Sequence, residues 1–370
     1  MEWFVQQLIY GVQLGSLYAL IALGYTMVYG VLRLINFAHG DVYMVGAFVG
    51  FYACTAWLPF QDLSAHPDAV GANIALSVVA MAIAMGVCAA LGMVIERFAY
   101  RPLRNGLTRQ DAHFWGFVAA IPAGLAFGHL GRGVALVVYA LAGVTLGYLL
   151  RPAVAWLRRR TVLSTSRLNA LITAIGVSLI LQNGGLLVFG ANPNFIPNIV
   201  PEQSVALTGG IHVGTGQLAI LGVSIALMLA LRHIVLYTWR GRAMRAISHD
   251  IEAAKLMGID TDRVIAFTFA LGGALAGAGG FMVAALTHVK ITPLFGLLPG
   301  IKAFVAAVLG GAGNIPGAAL GGVLMGVAEA FVSGSQQLST YRDAIAFCVL
   351  IVILLVRPAG LLGQNVPEKV

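Results

Sequence analysis

The sequence predicts an all-α protein, a polytopic bundle of transmembrane helices with about 9 to 11 spans, some of them broken or re-entrant. Of its 370 residues, 59% are hydrophobic and only 10% are charged, whereas soluble domains carry about 25% charged residues. Several apolar runs reach the roughly 20 residues that cross a bilayer as a helix. The runs are continuous and do not alternate with polar residues, which argues against a transmembrane β-barrel. A lipid bilayer is therefore the expected surrounding of the chain.

The N-terminal part contains apolar runs at about residues 5–31, 42–58 and 72–95. The first two runs are separated by a polar break, Asn36-Phe37-Ala38-His39-Gly40-Asp41. The chain starts Met-Glu-Trp-Phe and shows neither the basic residues nor the cleavage site of a signal peptide. We therefore expect the first run to be a membrane helix that is retained.

The remaining runs divide the chain into three parts. They lie at about residues 113–129, 134–155, 168–189, 217–237, 264–286, 301–332 and 344–356. The first two would form an extra transmembrane hairpin within residues 105–165, between an N-terminal transmembrane part, 1–104, and a C-terminal transmembrane part, 166–370. The stretch 301–332 is interrupted by glycine and proline, so it fits either two short helices or a re-entrant hairpin.

Basic residues are concentrated in polar loops at residues 97–109, 158–167 and 240–263. In membrane proteins Lys and Arg accumulate in cytoplasmic loops. Counting spans from these loops predicts a periplasmic N-terminus and a cytoplasmic C-terminus. The net charge of +8 has the same origin, so it does not indicate a nucleic-acid partner.

The chain lacks the patterns that are typical of catalysis and of metal or nucleotide binding. Cys54, Cys88 and Cys348 lie inside apolar runs, without metal-ligand or disulfide spacing. We find no Ser/His/Asp arrangement, no HExxH and no CxxC. The glycine-rich run at 310–317 lacks the Gly-Lys-Ser/Thr ending of a phosphate loop. We therefore predict a protein that is not an enzyme and binds no metal and no cofactor of its own.

The loop at residues 238–263 carries the most specific signal, a short helix near its centre. Residues 252–257 are good helix formers. Gly258 suits the position after a helix end, and either Asp250 or Ser248 suits the N-cap. The sequence therefore predicts a helix of less than two turns between two membrane spans.

This short helix suggests a docking element. Asp250 and Glu252 offer carboxylates to arginines of a partner, and the small Ala253 and Ala254 allow close approach. A helix held parallel to the membrane fills a groove on a soluble protein, which would then transmit force to the spans. The alternative is an ordinary amphipathic helix that lies on lipid headgroups.

The polar break at residues 36–41 is a candidate gate or path lining, with Asn36, His39 and Asp41 as its polar members. A charge at the centre of a membrane helix costs about 2.5–3.5 kcal/mol on insertion scales, so such residues need a reason. The alternative is a plain cytoplasmic loop in which Arg33 and Asp41 are hydrated. His39 is expected to be a hydrogen-bonding structural residue and not a proton relay.

A second break, near Asn314 and Pro316, adds candidate path residues in the other half, because broken segments in both halves often mark a transport path. Glu329 is an acid within an apolar run, which by default suggests function. The alternative is that Glu329 is a packing partner of Lys302 or of a hydroxyl group.

Several motifs give the chain a family resemblance. The pattern Glu252-Ala253-Ala254-x-x-x-Gly258 resembles the EAA loop of ABC-importer permeases. Longer segments are similar to the branched-chain amino acid permeases of the LivH type, namely residues 18–30, 35–41, 258–266, 302–311, 315–318, 328–330 and Arg357-Pro358-x-Gly360. The resemblance covers nearly all of residues 1–104 and 167–370, and the 105–165 hairpin departs from it.

This resemblance implies a membrane subunit of a bacterial ABC importer for leucine, isoleucine and valine in the inner membrane. The implied partners are two ATP-binding subunits, which would hold ATP and Mg²⁺, a second homologous permease and a periplasmic substrate-binding protein. Permeases for urea and short-chain amides share several of the motifs and remain the alternative. An ion-coupled secondary transporter or a passive channel would leave the docking loop unexplained.

Overall fold

The computed structural model describes residues 2–61, 63, 66–105, 138, 141–152, 167–196, 199, 203–207, 210–287, 289–357 and 359–363. Within these ranges the chain is almost entirely helical, which confirms the all-α prediction. The exception is a small antiparallel hairpin, in which β1 (Ser204–Leu207) pairs with β2 (Ile211–Gly214).

Twelve helices are numbered in chain order within the described ranges. They are α1 (Glu2–Leu32), α2 (His39–Tyr52), α3 (Val70–Ile95), α4 (Arg101–Asn105), α5 (Arg167–Phe189), α6 (Thr215–Tyr237), α7 (Trp239–His249), α8 (Ile251–Leu256), α9 (Thr261–Leu286), α10 (Leu297–Gly310), α11 (Ile315–Ser333) and α12 (Arg342–Val356). Residues 141–152 are also helical. A π-helical turn extends α2 through Ala53–Trp57, and another, Glu96–Tyr100, joins α3 to α4.

Six helical segments in the described ranges are long and apolar enough to cross a membrane. They are α1, the continuous segment Val70–Arg104, Asn169–Phe189, α6, α9 and α11. By contrast, α10 has only 14 residues, a length of about 21 Å that is shorter than a hydrocarbon core of roughly 30 Å, and α2 has 14 residues before the π-helical turn that extends it to Trp57. Both adjoin a predicted break, so the prediction of broken helices is confirmed.

The chain forms two compact units, one of Val94–Thr173 and one of Met1–Met93 with Ala174–Val370. In the smaller unit Glu96 is fully buried, and its carboxylate accepts hydrogen bonds from Arg101 at 3.0 Å and Arg104 at 2.6 Å. Two arginines of the basic segment after the third apolar run are therefore paired with Glu96, an acid of the same segment. The 105–165 insertion lies largely outside the described residues, so the three-part division stays a prediction.

In the larger unit α1 and α11 pack antiparallel, backbone against backbone. A methyl group on Gly11 would lie 2.6 Å from the Cα of Val327, and one on Gly15 would lie 2.6 Å from the Cα of Val323. A methyl group on Gly322 of α11 would likewise lie too close to Ala19 of α1. Small residues four positions apart allow this approach, which is the usual basis of close helix packing in lipid.

Helix α9 packs between α2 and α3. A methyl group on Gly46 of α2 would lie 2.6 Å from the Cα of Gly277, and one on Gly277 would lie 2.6 Å from the carbonyl oxygen of Ala84 of α3. Helices α10 and α11 form an antiparallel pair, in which Gly310 lies against Gly317. The stretch 301–332 is therefore two helices joined by a tight turn at residues 311–314.

Candidate functional site: a docking loop and two helix breaks

The candidate docking loop, residues 238–263, begins with a sharp turn from α6 into α7. The hydroxyl of Thr238 caps α7 by accepting a hydrogen bond from Gly241 N at 3.1 Å. Position 241 must be glycine, because a methyl group there would overlap the carbonyl groups of Ile234 and Val235. The direction in which the loop leaves α6 is therefore fixed by local chemistry.

The basic residues of α7 fold back onto the bundle. Arg245 donates to the carbonyl oxygen of Val235, so it satisfies a carbonyl group near the end of α6, as basic side chains commonly do at helix C-termini. The guanidinium of Arg240 lies 4.7 Å from the centre of the Phe267 ring in α9, a cation–π distance. These contacts hold α7 to both α6 and α9.

Helix α8 has the predicted ends. Oδ1 of Asp250 accepts hydrogen bonds from the backbone N–H groups of Glu252 at 2.9 Å and Ala253 at 3.0 Å, which is an N-cap. Gly258 follows the helix with a φ of +80°, the left-handed conformation of a C′ glycine. Of the two predicted caps, Asp250 is the one used, and Ser248 instead donates to the carbonyl oxygen of Arg245 at 2.7 Å.

The outer face of α8 differs in part from the one the sequence suggested. Ala254 packs inward and is 4% exposed, so only Ala253 of the two alanines can face a partner. Leu256 and Met257 are 89% and 82% exposed. With Ala253 they have the i, i+3, i+4 spacing of one helix face. Sequence reasoning missed this apolar pair, although two large apolar residues immediately before the stop glycine were a visible signal.

Charged side chains flank this face. The Glu252 carboxylate is 81% exposed and lies 3.0 Å from the ammonium group of Lys255. An exposed pair of this kind contributes little to stability. The acid is therefore available to a partner. Glu252 remains a candidate docking residue, whereas Asp250 has one carboxylate oxygen committed to the cap.

The first break carries the chain back into the bundle. It starts at Arg33, which has a φ of +53°, and α2 then begins with His39 against Gly24 of α1. Because Gly24 precedes the end of α1 by about 12 Å of helix rise, α2 starts well below that end. The His39 ring covers the Gly24 backbone so closely that a methyl group at Gly24 would overlap it.

The polar residues of this break are buried together. Asn36, His39 and Asp41 are 4%, 2% and 2% exposed. Asp41 accepts hydrogen bonds from the hydroxyl of Ser178 and, at 3.0 Å, from the amide of Gln182 in α5. The hydrated-loop alternative therefore fails for Asp41, although Arg33 is exposed. Sequence reasoning did not find Ser178 and Gln182, which lie four residues apart on α5.

The second break is closed by the C-terminal tail. Oδ1 of Asn314 caps α11 by accepting from Gly317 N at 3.1 Å, while its amide nitrogen donates to the carbonyl oxygen of Leu362 at 2.7 Å. Pro316 occupies the second position of α11, where no backbone donor is needed. In addition, the backbone N–H of Leu361 in the tail donates a hydrogen bond to the carbonyl oxygen of Leu309 at 2.8 Å. The predicted path residues Asn314 and Pro316 therefore make structural contacts at this break.

Glu329 lies at the centre of a buried cluster. Its carboxylate accepts a hydrogen bond from the Tyr18 hydroxyl at 2.7 Å and one from the Lys302 ammonium at 2.6 Å. The same ammonium lies 2.6 Å from Asp343 Oδ1. Both partners suggested by the alternative interpretation, a hydroxyl and Lys302, are thus present. The six predicted path residues fall into three separate places: 36–41, 314–316 and Glu329.

The described part of the chain is a multi-pass helical bundle with polar helix breaks inside it and a capped helix on one loop, an architecture that suits a membrane permease. The family described as branched-chain amino acid transport system / permease component matches residues 7–108 and 114–354, and the chain belongs to this family. It is therefore one component of a transport system that includes other subunits.

The permease protein BraD of the high-affinity branched-chain amino acid transport system in Pseudomonas aeruginosa is 37% identical over 373 residues, covering 99% of this chain and 98% of BraD. LivH, which carries the same description in Escherichia coli K12, is 38% identical over 372 residues, covering 100% of this chain and 98% of LivH. No solved structure matches the chain.

Proposed function

We propose that this chain is the membrane-spanning permease subunit of an ATP-driven ABC importer that moves leucine, isoleucine and valine into the cell across the bacterial inner membrane. The observation that carries the proposal is the similarity to BraD and LivH along nearly the whole of each chain. A match of that extent includes both helix breaks and the docking loop, and is not confined to apolar helices.

The chain would work in an assembly. Two ATP-binding subunits would hold ATP and Mg²⁺, a second homologous permease would complete the membrane part, and a periplasmic binding protein would deliver the amino acid. The N-terminus would lie in the periplasm and the C-terminus in the cytoplasm. ATP hydrolysis would then take place on the partners, and this chain would convert their movement into a change of access.

Helix α8 is the proposed point at which that movement enters. Its outer face combines the apolar Leu256 and Met257 with the acidic Glu252. A helix that rests on anionic lipid is usually rich in Lys and Arg on its polar face, which the exposed Glu252 does not suit. An apolar pair beside an acid fits a groove on a protein that supplies an arginine. This supports docking over the lipid-surface alternative.

The force path would run from α8 into α9. Asp260 caps α9 by accepting from Arg263 N at 3.1 Å, directly after the loop, and α9 in turn packs against both α2 and α3 through its glycines. A displacement of α8 would therefore reach α2, the helix that starts at the buried polar break, through one intervening helix.

The decisive experiment is leucine uptake by membrane vesicles that contain the complete importer with Glu252→Lys. We expect uptake to fall by about ten-fold or more, the effect of losing roughly 1.4 kcal/mol of docking free energy, while the amount of folded permease is unchanged. Glu2→Lys, which changes an exposed acid in the first turn of α1, is the matched control. Normal uptake by the Glu252 variant would refute docking through this residue.

The apolar part of the docking face is tested separately by co-purification. Replacing Leu256 and Met257 together with alanine keeps a good helix former at position 256. It also removes most of the exposed apolar surface of α8. We expect the variant to retain less ATP-binding subunit in detergent.

Uptake that is blocked by urea or acetamide, and not by valine, would instead indicate the alternative substrate class.

A further inference from the structure

A cavity of about 330 Å³ lies where α1 begins and α11 ends. Its volume is at the lower limit of the range for small-molecule sites, about 300–1,000 Å³. The residues of α1 that line it are Gln7, Tyr10, Gln13, Leu14 and Leu17. Because these positions recur every three to four residues, they form one face of the helix.

The polar groups on this face have no partners in the described part of the chain. The side chains of Gln7, Tyr10 and Gln13, and that of Ser333 across the cavity, form no hydrogen bond with another described residue. The neighbouring Gln6 shows the opposite behaviour, because its amide makes two hydrogen bonds with the backbone of His212, at 2.9 and 3.0 Å. Tyr10 and Ser333 are exposed and the two glutamines are half-buried, so these groups are open to a ligand or to water at the mouth of the cavity.

The amide of Gln7 has a defined position. A methyl group on Gly334 would lie 2.5 Å from Cδ of Gln7, so the absence of a side chain at 334 lets the amide lie directly over the end of α11. Gln13 lies about 16 Å along α1 from its first residue. Its side chain is half-buried and lines the cavity, where the amide can bind a polar ligand or water.

The two sides of the cavity suit the two charges of a zwitterion. The Gln7 and Gln13 amides and the Tyr10 hydroxyl offer N–H and O–H donors to a carboxylate. In the last turn of α11 the carbonyl group of Ala330 is bonded to Gly334 N, whereas that of Ser333 accepts no backbone hydrogen bond from another described residue, and a free carbonyl group at a helix C-terminus favours a cation such as an ammonium. The described residues that line the cavity include no Asp, Glu, Lys or Arg, which suits a ligand without net charge.

The inner end of the cavity is aliphatic. Leu14, Leu17 and Ala330 line it. Leu17 and Ala330 are the chain neighbours of Tyr18 and Glu329, whose side chains are joined by a 2.7 Å hydrogen bond. An aliphatic side chain in the cavity would thus point toward the place where the buried cluster joins α1 to α11.

We propose that this cavity is a binding site for a small zwitterionic amino acid with an aliphatic side chain, on the entry side of the permease. The Gln7, Gln13 and Tyr10 side chains hold the carboxylate, the end of α11 receives the ammonium, and Leu14 and Leu17 contact the side chain. This assignment rests on the proposed import function and names the first residues of the permease that the substrate meets.

The test uses the complete importer in proteoliposomes, with the binding protein, ATP and radioactive L-leucine. Leu14→Trp fills the cavity, and Gln13→Leu removes one amide. Leu8→Trp places the same bulk on a 39% exposed position of the same helix that does not line the cavity. We expect both cavity variants to transport at least about five-fold less leucine per ATP hydrolysed, while Leu8→Trp transports normally.

Unchanged leucine transport per ATP in both cavity variants would overturn the site, whereas absence of leucine transport by the unaltered importer would overturn the proposed function.

A second readout does not depend on transport. In a chain with its native cysteines replaced, Ser333→Cys should be labelled by a membrane-impermeant thiol reagent from the periplasmic side, and 10 mM L-leucine should slow labelling several-fold. A cysteine at Leu8 is the control. Equal labelling with and without leucine, or labelling only from the cytoplasmic side, contradicts the proposal.

Discussion

The two helix breaks, at residues 33–38 and 311–314, are closed by different parts of the chain. At the first, side chains make the contacts, since Asp41 is bonded to Ser178 and Gln182 and the His39 ring packs on Gly24. At the second, backbone groups do, with the C-terminal tail bonded to the end of α10. Backbone contacts support the first closure as well, because a methyl group on Gly40 would lie 2.6 Å from the carbonyl oxygen of Gly296.

The second closure depends mainly on backbone geometry. Gly311, Gly313 and Gly360 all have φ between +80° and +109°, and a methyl group on Gly360 would lie 2.6 Å from the Cα of Gly311. A contact between backbones cannot be opened by changing rotamers. The turn at 311–314 is therefore closed mainly by backbone contacts, whereas the break at 33–38 combines backbone contacts with side-chain hydrogen bonds that a change of rotamer can open.

The largest effect is expected at the second break. Gly311→Ala combines a φ of +109° with a methyl group 2.6 Å from Gly363 N, and we expect a loss of about 4 kcal/mol from strain and overpacking together. The measurement is the thermal midpoint of the detergent-solubilised permease. Gly190→Ala is the matched control, because it has a φ of +84° and nothing within 4 Å, and should lose only about 1–2 kcal/mol.

Gly24→Ala tests the packing at the first break. The added methyl group meets the ring of His39, a side chain that can move, so we expect a smaller loss of about 2–3 kcal/mol. His39→Ala in the same chain should restore part of it. If the double variant is as unstable as the sum of the two single variants, the ring contact does not close this break.

Asp41→Ala removes the acceptor shared by Ser178 and Gln182. Both donors are part-buried, and without the carboxylate they retain only the 3.1 Å hydrogen bond from Gln182 to Ser178, so the unfolding free energy should fall by about 2 kcal/mol. Ser178→Ala, which removes one donor and leaves the Gln182 bond, should lose less. An equal loss in both variants would show that the Gln182 bond contributes nothing to the closure.

The smallest effect is expected for Asn314→Ala. It removes the cap of α11, worth about 1 kcal/mol, and one hydrogen bond to the tail. Asn314→Asp keeps the capping oxygen and should recover most of the cap, while still losing the donor to Leu362. A larger loss for Asn314→Ala than for Gly311→Ala would reverse the comparison, because side-chain contacts would then dominate the second break.

Local features of the chain were the ones that could be predicted from sequence. The helices follow from continuous apolar runs, and the Asp250 cap and the Gly258 stop each depend on residues within one turn. Contacts between distant segments were not predictable. Glu329 was assigned either Lys302 or a hydroxyl, and the structure gives it both, because Tyr18 lies 311 positions away.

The glycine contacts show the same limit. The sequence contains 46 glycines, and nothing in their spacing says that Gly15 meets Gly326 or that the tail covers the turn at 311–314. Similarly, the exposure of Leu256 and Met257 depends on which side of α8 packs inward. Ala254 takes that side because α8 rests against the neighbouring helices.

The pairing of α1 with α11 also has a consequence for biosynthesis. A ribosome adds about 5–20 residues per second, and the residues that hydrogen-bond between these helices are 311 positions apart. The first helix therefore waits roughly 15–60 seconds in the bilayer before its partner is made. During that time its glycine-lined face and the Tyr18 hydroxyl have only lipid, the translocation machinery or intermediate helices to contact. Truncation before residue 315 would leave α1 without this partner permanently, so such fragments should be degraded.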